Sequence, residues 1–217
     1  MAGHRARALL PALLLLLAAR PAAADDLARV RRFLTGLTSL QGQFVQHATN
    51  RAAGTTQEAM GEVWIQRPAR VRWHYTRPAE QDVLIDGGRM WVYSKGLKQV
   101  VIRRLSDEEL ARTPLAFLAG LASLEDLYRM QALPSPGHPE ELRLLLTPKE
   151  KGARFQSVSL RFRKADLTLL GMEVVDPMGN LTAIAFHGLK VNQPVDPAHF
   201  ALELPPGTER ITQGAVR

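Results

Sequence analysis

The sequence predicts an α+β fold, mainly β, built on one large antiparallel sheet. Three observations predict it. Short runs with period-two alternation recur along the chain between Pro, Gly and Asp turns, giving roughly ten strands. Two stretches switch to helical spacing, one at the start and one between two sets of strands. The turns are too short for crossover connections, which makes the sheet antiparallel. So few helices cannot cover both faces of such a sheet. One face is therefore expected to be solvated, and the other to curve round the apolar helices. No internal repeat is visible.

Residues 1–24 read as a cleavable export signal. Arg5 and Arg7 give a positive start, Ala8 to Ala19 is an apolar run broken by Pro11, and Ala22-Ala23-Ala24 offers an A-x-A site before Asp25. The run is shorter than the about 20 residues that span a bilayer. Residues 25–217 then form a single domain. Arg5, Arg7 and Arg20 leave with the signal, so the 28 basic and 21 acidic side chains become 25 against 21, a mild excess of +4. The densest clusters, Arg103-Arg104 and Arg161 to Lys164, read as outward strand or turn residues. A nucleic-acid partner is not expected from so mild a balance. The chain has no cysteine. Lipid attachment to a bacterial lipoprotein needs one at the cleavage site, so the exported product is expected to be soluble.

The elements follow in order. Asp25-Asp26 reads as the N-cap of a helix whose apolar stripe is Leu27, Val30, Phe33, Leu34 and Leu37, with Gly36 near its end. Leu40 to His47 reads as a strand with Gly42, Phe44 and Gln46 on one side, and Arg51 to Gln57 as a polar loop. Gly61 to Tyr93 is a meander. Val63 and Ile65 share a face that Arg67 extends, and Pro68 stops that ladder. Val71, Trp73 and Tyr75 alternate with Arg70, Arg72 and His74. Val83 and Ile85 carry a third strand, Asp86-Gly87-Gly88 turns it, and Met90 to Tyr93 return as a fourth. Leu97 to Arg104 is the next strand.

Then the period changes. Ser106 to Glu109 is a capping box opening a short helix at Leu110. Thr113-Pro114 caps a nearly all-apolar second one with Leu115, Phe117, Leu118 and Leu121, interrupted by Gly120. A third runs from Ser123 through Tyr128. Strands return at 142–146, around Val158 to Phe162, at 167–175, from Leu181 to Phe186 and at 200–204. Pro134 to Pro139 is a loop between them.

Catalytic motifs are missing. There is no phosphate loop and no G-x-S-x-G elbow. The mature histidines are scattered, and none has the i, i+4 spacing of a helical zinc site. Asp86 and Asp176 sit in glycine-containing turns, where aspartate serves the backbone. Nothing points to an enzyme, a cofactor or a metal.

Several ordered segments resemble the LolA family of periplasmic lipoprotein carriers. They include Phe44-Val45-Gln46, Gly61 to Trp64, Arg67-Pro68, Arg72 to Tyr75, Asp86-Gly87, Trp91-Val92-Tyr93, Thr113-Pro114, Leu146-Thr147-Pro148 and Pro205-Pro206-Gly207. The resemblance covers nearly all the mature chain. It implies a half-closed antiparallel β-barrel with a short-helix lid over an apolar cavity. It implies a monomeric periplasmic shuttle that takes lipoproteins from an inner-membrane Lol ABC transporter to an outer-membrane receptor such as LolB. By this resemblance Arg67 is the lid latch, and the lid falls on Leu115 to Leu118. Val71 stands where some members carry an aromatic residue near the mouth.

The acyl-chain cavity would use Val63, Ile65, Val71, Trp73, Val83, Ile85, Met90, Leu115, Phe117 and Leu118. By pattern alone those residues serve a core or a pocket, and Arg67 a latch or a strand-end cap. A carrier of another lipid or glycolipid with the same fold is the alternative. A lipoprotein-sensing signalling protein would need a second domain, for which the chain leaves little room.

Overall fold

The computed structural model describes residues 22–106, 109, 118–120, 124–150 and 153–213. Helix α1 (Ala22–Thr35) is followed by β1 (Ser39–Asn50), β2 (Thr55–Gln66), β3 (Arg70–Arg77), β4 (Gln81–Asp86), β5 (Arg89–Ser94) and β6 (Gln99–Arg104). A short α2 (Leu124–Leu127) leads into β7 (Tyr128–Pro134), β8 (Glu141–Pro148), β9 (Ser157–Arg163), β10 (Leu169–Val175), β11 (Leu181–Val191) and β12 (Glu209–Gln213). The strands form one 12-stranded sheet in the order β12-β6-β5-β4-β3-β2-β1-β11-β10-β9-β8-β7. Every pairing is antiparallel except β12 on β6, which is parallel. The terminal strands β12 and β7 are not neighbours, so the sheet is open.

One face of this sheet carries the main core. Val30 and Leu34 of α1 and Leu37 just after it are buried with Phe44 of β1, Trp73 of β3 and the Leu142 to Met172 rows of β8–β10. Phe33 packs edge-on against Phe162 at 5.7 Å, and the Arg29 guanidinium donates to the Lys164 carbonyl at 2.7 Å. These contacts seat α1 over the β7–β10 half of the inner face. Phe44 binds the two halves together, edge-on to Trp73 at 4.5 Å and to Tyr75 at 5.1 Å. Aromatic pairs in this geometry add about 0.5–1.5 kcal/mol beyond their burial. Gly61 lies in the same row, opposite Phe44 and Tyr75. A Cβ there would collide with the His74 carbonyl, so only glycine fits the bulge between β2 and β3.

Several expectations need correction. The helix begins at Ala22, so Asp25 lies in its first turn and does not cap it. The first meander strand starts at Thr55, so of the residues read as a loop only 51–54 turn, and Thr55 to Gln57 pair with the far end of β1. The segment from Tyr128 is a strand, stabilised by β8 across its whole length. The segment after Phe200 is not a strand. A turn of 3₁₀ helix at Pro197–Phe200 is capped by the Asp196 side chain, and the final strand lies at Glu209–Gln213.

The outer face is not simply solvated. Trp64, Leu84, Val195 and Phe200 form a second cluster, with Trp91 and Leu202 packed on it. Beneath that C-terminal segment lies a polar network. Asp82 accepts from Arg72 at 2.8 Å and lies 3.0 Å from His74, and Arg72 donates to the His199 carbonyl at 2.9 Å. His199 stacks on Trp64 at 4.3 Å. His74 therefore faces outward, as expected, and is held by a carboxylate.

Candidate functional site: an apolar inner face tied by Arg67

Cross-strand pairing sets the meander's inner residues in two rows. One runs Val63, Trp73, Val83, Val92, Val101, and its neighbour runs Ile65, Val71, Ile85, Met90, Arg103. The period of two makes each row a continuous stripe on one face. Val63, Ile65, Val71 and Trp73 are fully enclosed, and Leu118 lies with them at 1% exposure. Val83 and Ile85 pack against that cluster half-buried, and Met90 is also half-buried. The sequence-predicted wall thus comes together on one surface, enclosed near β2–β3 and less so toward β5. Leu115 and Phe117 lie outside the described residues.

Arg67 stands just past the end of β2, between this wall and two other segments. Its Nε donates to the Leu118 carbonyl at 3.0 Å, and its Nη1 to the Thr35 carbonyl at 3.4 Å. The backbone joins in: the Arg67 N–H donates to Thr38 at 2.9 Å, and the Ala69 N–H to Ala119 at 3.1 Å. One side chain therefore ties the C-terminus of α1 to residues 118–120. Helix C-terminal carbonyls such as Thr35's lack an intrahelical partner, and a cation there is favoured. Burial pushes the Arg67 guanidinium below its ordinary value. It still stays charged, because guanidinium deprotonates only far above neutral pH.

Gly120 makes the close approach possible. A Cβ there would sit 2.7 Å from Arg67 Cδ, and its φ of +70° suits glycine. In the sequence, the resemblance assigns the latch to Arg67, and Gly120 shows only as a break in the apolar run. The Thr35 acceptor left no trace, since any residue offers a carbonyl.

Arg103 corrects a further expectation. It is not outward but ends the Ile65–Met90 row on the inner face, where it pairs with Glu109. Glu109 closes the predicted capping box: its carboxylate accepts from the Ser106 N–H at 2.9 Å, and its own N–H donates to Ser106 Oγ at 3.1 Å. The Ser106 backbone, and then Arg103, hold the Glu109 carboxyl below the usual carboxylate range. Asp176 behaves as a turn residue, accepting from the Met178 and Asn180 N–H groups at 2.8 Å each.

Among the described residues, His138, Glu140 and Glu141 alone group closely enough to hold a metal ion. Glu141 faces Arg161 at 3.4 Å, and Glu140 faces His138 at 3.3 Å, so these groups serve one another. No described helix is long and apolar enough to cross a membrane.

Comparison with known proteins adds to this geometry. The chain is 35% identical over 214 residues to an outer-membrane lipoprotein carrier protein of Alkalilimnicola ehrlichii, covering 97% of this chain and 96% of that one. It is 32% identical over 194 residues to the protein so named in Chromobacterium violaceum, covering 89% and 91%. Among solved structures, an uncharacterised conserved protein of Thermus thermophilus shares the fold. That match has a TM-score of 0.51 at 16% identity, over 88% of this chain and 98% of that one. The family model for the outer membrane lipoprotein carrier protein LolA matches residues 35–203, so the chain belongs to the LolA family.

Proposed function

We propose that this protein is a periplasmic carrier that shields the acyl chains of lipoproteins released from the inner membrane and delivers them to an outer-membrane receptor. Residues 1–24 act as the export signal, and residues 25–217 are the carrier domain. The protein works without catalysis. It takes cargo from an ABC transporter of the Lol type and passes it to LolB or an equivalent acceptor.

The observation that carries this reading is Arg67, one cation tying two segments over an apolar sheet face. Burial of an acyl chain gains about 0.8 kcal/mol per methylene, so a chain of roughly 14 gains on the order of 11 kcal/mol. A protein that offers this surface must hide it when empty, because large exposed apolar patches associate. A tie made of a few hydrogen bonds suits that need: it holds the empty face closed, and the much larger acyl term overcomes it. Val63, Ile65, Val71, Trp73, Val83, Ile85 and Met90 would then line the cavity, with Leu115, Phe117 and Leu118 from the covering segment.

Depletion in the source bacterium tests the reading. Outer-membrane lipoproteins should accumulate on the inner membrane as the protein disappears. Normal sorting after full depletion would contradict it.

A further inference from the structure

The outer face carries a concavity, on the side of the sheet away from the apolar wall. It measures about 510 Å³ and is lined by Asp86, Gly87, Gly88, Arg89, Trp91, Arg104 and Leu105. Arg89 and Arg104 are direct cross-strand partners and are both exposed. Like charges facing each other across a ladder repel. Asp86 does not relieve this pair, since its carboxylate pairs with Arg70 at 3.3 Å. Among the described residues neither Arg89 nor Arg104 has an ion-pair partner. The Arg89 guanidinium lies over Trp91, 5.7 Å from the ring centroid. Trp91 in turn packs against the Trp64, Leu84 and Phe200 cluster, which fixes its ring. Leu105 is anchored by its N–H to the Gly88 carbonyl at 2.8 Å, and Gly87 and Gly88 leave the turn without side chains.

We propose that this groove is a docking site for a short acidic segment of a partner polypeptide. One carboxylate sits between Arg89 and Arg104, and an adjacent apolar residue lies on Trp91 and Leu105. The charge-assisted bonds supply direction, and removal of the Arg–Arg repulsion adds to them. The shape decides the class of partner. A membrane surface or a nucleic acid is held by a wide basic field, whereas this site has two guanidinium groups, without an ion-pair partner among the described residues, beside a carboxylate and an apolar shelf. That is the footprint of an acidic residue next to an apolar one. The site does not depend on the acyl-chain reading, because it lies on the opposite face.

The test titrates the ¹⁵N-labelled exported protein with the peptide Ac-Glu-Leu-Glu-NH₂, with Ac-Gln-Leu-Gln-NH₂ as control. The signal is the Trp91 indole N–H, assigned by Trp91→Phe, with the buried Trp73 indole as a check on folding. The acidic peptide should move the Trp91 signal saturably, and the neutral peptide at least about tenfold more weakly. Arg89→Gln and Arg104→Gln, both at exposed positions, should each weaken binding by about tenfold with the Trp73 signal unmoved. Equal response to both peptides, no response, or indifference to both substitutions would overturn the proposal. So would a Trp91 response to phosphatidylglycerol vesicles without one to the peptide.

Discussion

Replacing Arg67 with Leu isolates the tie from the wall. The substitution removes the 3.0 Å bond to Leu118 and the 3.4 Å bond to Thr35, while the backbone bonds of Arg67 and Ala69 stay. Hydrogen bonds from a charged donor are worth about 1.5–3 kcal/mol. The shorter bond counts nearly in full, and the longer, more exposed one counts for little. The tied form should therefore lose about 2 kcal/mol, a shift of about thirtyfold toward the untied form. Where the tied form dominates the empty protein, apparent acyl affinity rises by up to the same factor, since a larger fraction is competent to bind. The gain appears as slower release, because cargo leaves when the tie reforms. The assay follows a fluorescent acyl probe loaded on each protein and then transferred to an acceptor. Uptake should be retained, and handover should slow by roughly tenfold or more. A variant that delivers at the normal rate would refute the latch.

Further predictions concern the frame that holds this surface. Gly61→Ala should cost about 2–4 kcal/mol in urea denaturation, because the added methyl meets the His74 carbonyl, which cannot move without breaking the ladder. Phe44→Ala should cost about 3–5 kcal/mol, as it empties the junction between Trp73 and Tyr75. Burial pushes the Tyr128 hydroxyl from 10.0 up to about 12. Below about pH 10 it is protonated in folded and unfolded chains alike. Above that the unfolded chain loses its proton first, so stability should fall as pH rises toward about 12. Tyr128→Phe should flatten that fall in alkaline denaturation curves. Asp82→Asn should destabilise by about 2–4 kcal/mol, since Arg72 and His74 lose a carboxylate that is itself only 11% exposed.

The meander was legible because its apolar residues include three tryptophans, and its first three strands end at proline or at Asp-Gly. Val63, Trp73 and Val83 each follow a charged residue, Glu62, Arg72 and Asp82, and the pairing puts them in one row. The early half of β2 was not legible. Thr55 to Glu58 are exposed, so no burial contrast marks the period. β7 was hidden for a different reason: Ser123 and the acids after it signal a helix start, and only pairing with β8 makes the following residues extended. β12 depends on a parallel pairing more than 100 residues distant, which no local pattern announces. Phe200 carried the right signal, burial, but its partners are the outer-face Trp64 and Leu84. At the site, the wall and Arg67 could be read. Arg103 could not, because an arginine after Ile102 looks solvent-facing until Glu109 is seen beside it.

Native mass spectrometry of the protein isolated from the periplasm, with Arg67→Leu alongside, tests the carrier account most directly. The account predicts a bound species bearing lipoprotein acyl chains, enriched on the variant. Finding both proteins free of any acylated molecule, or loaded with a glycolipid alone, would contradict it.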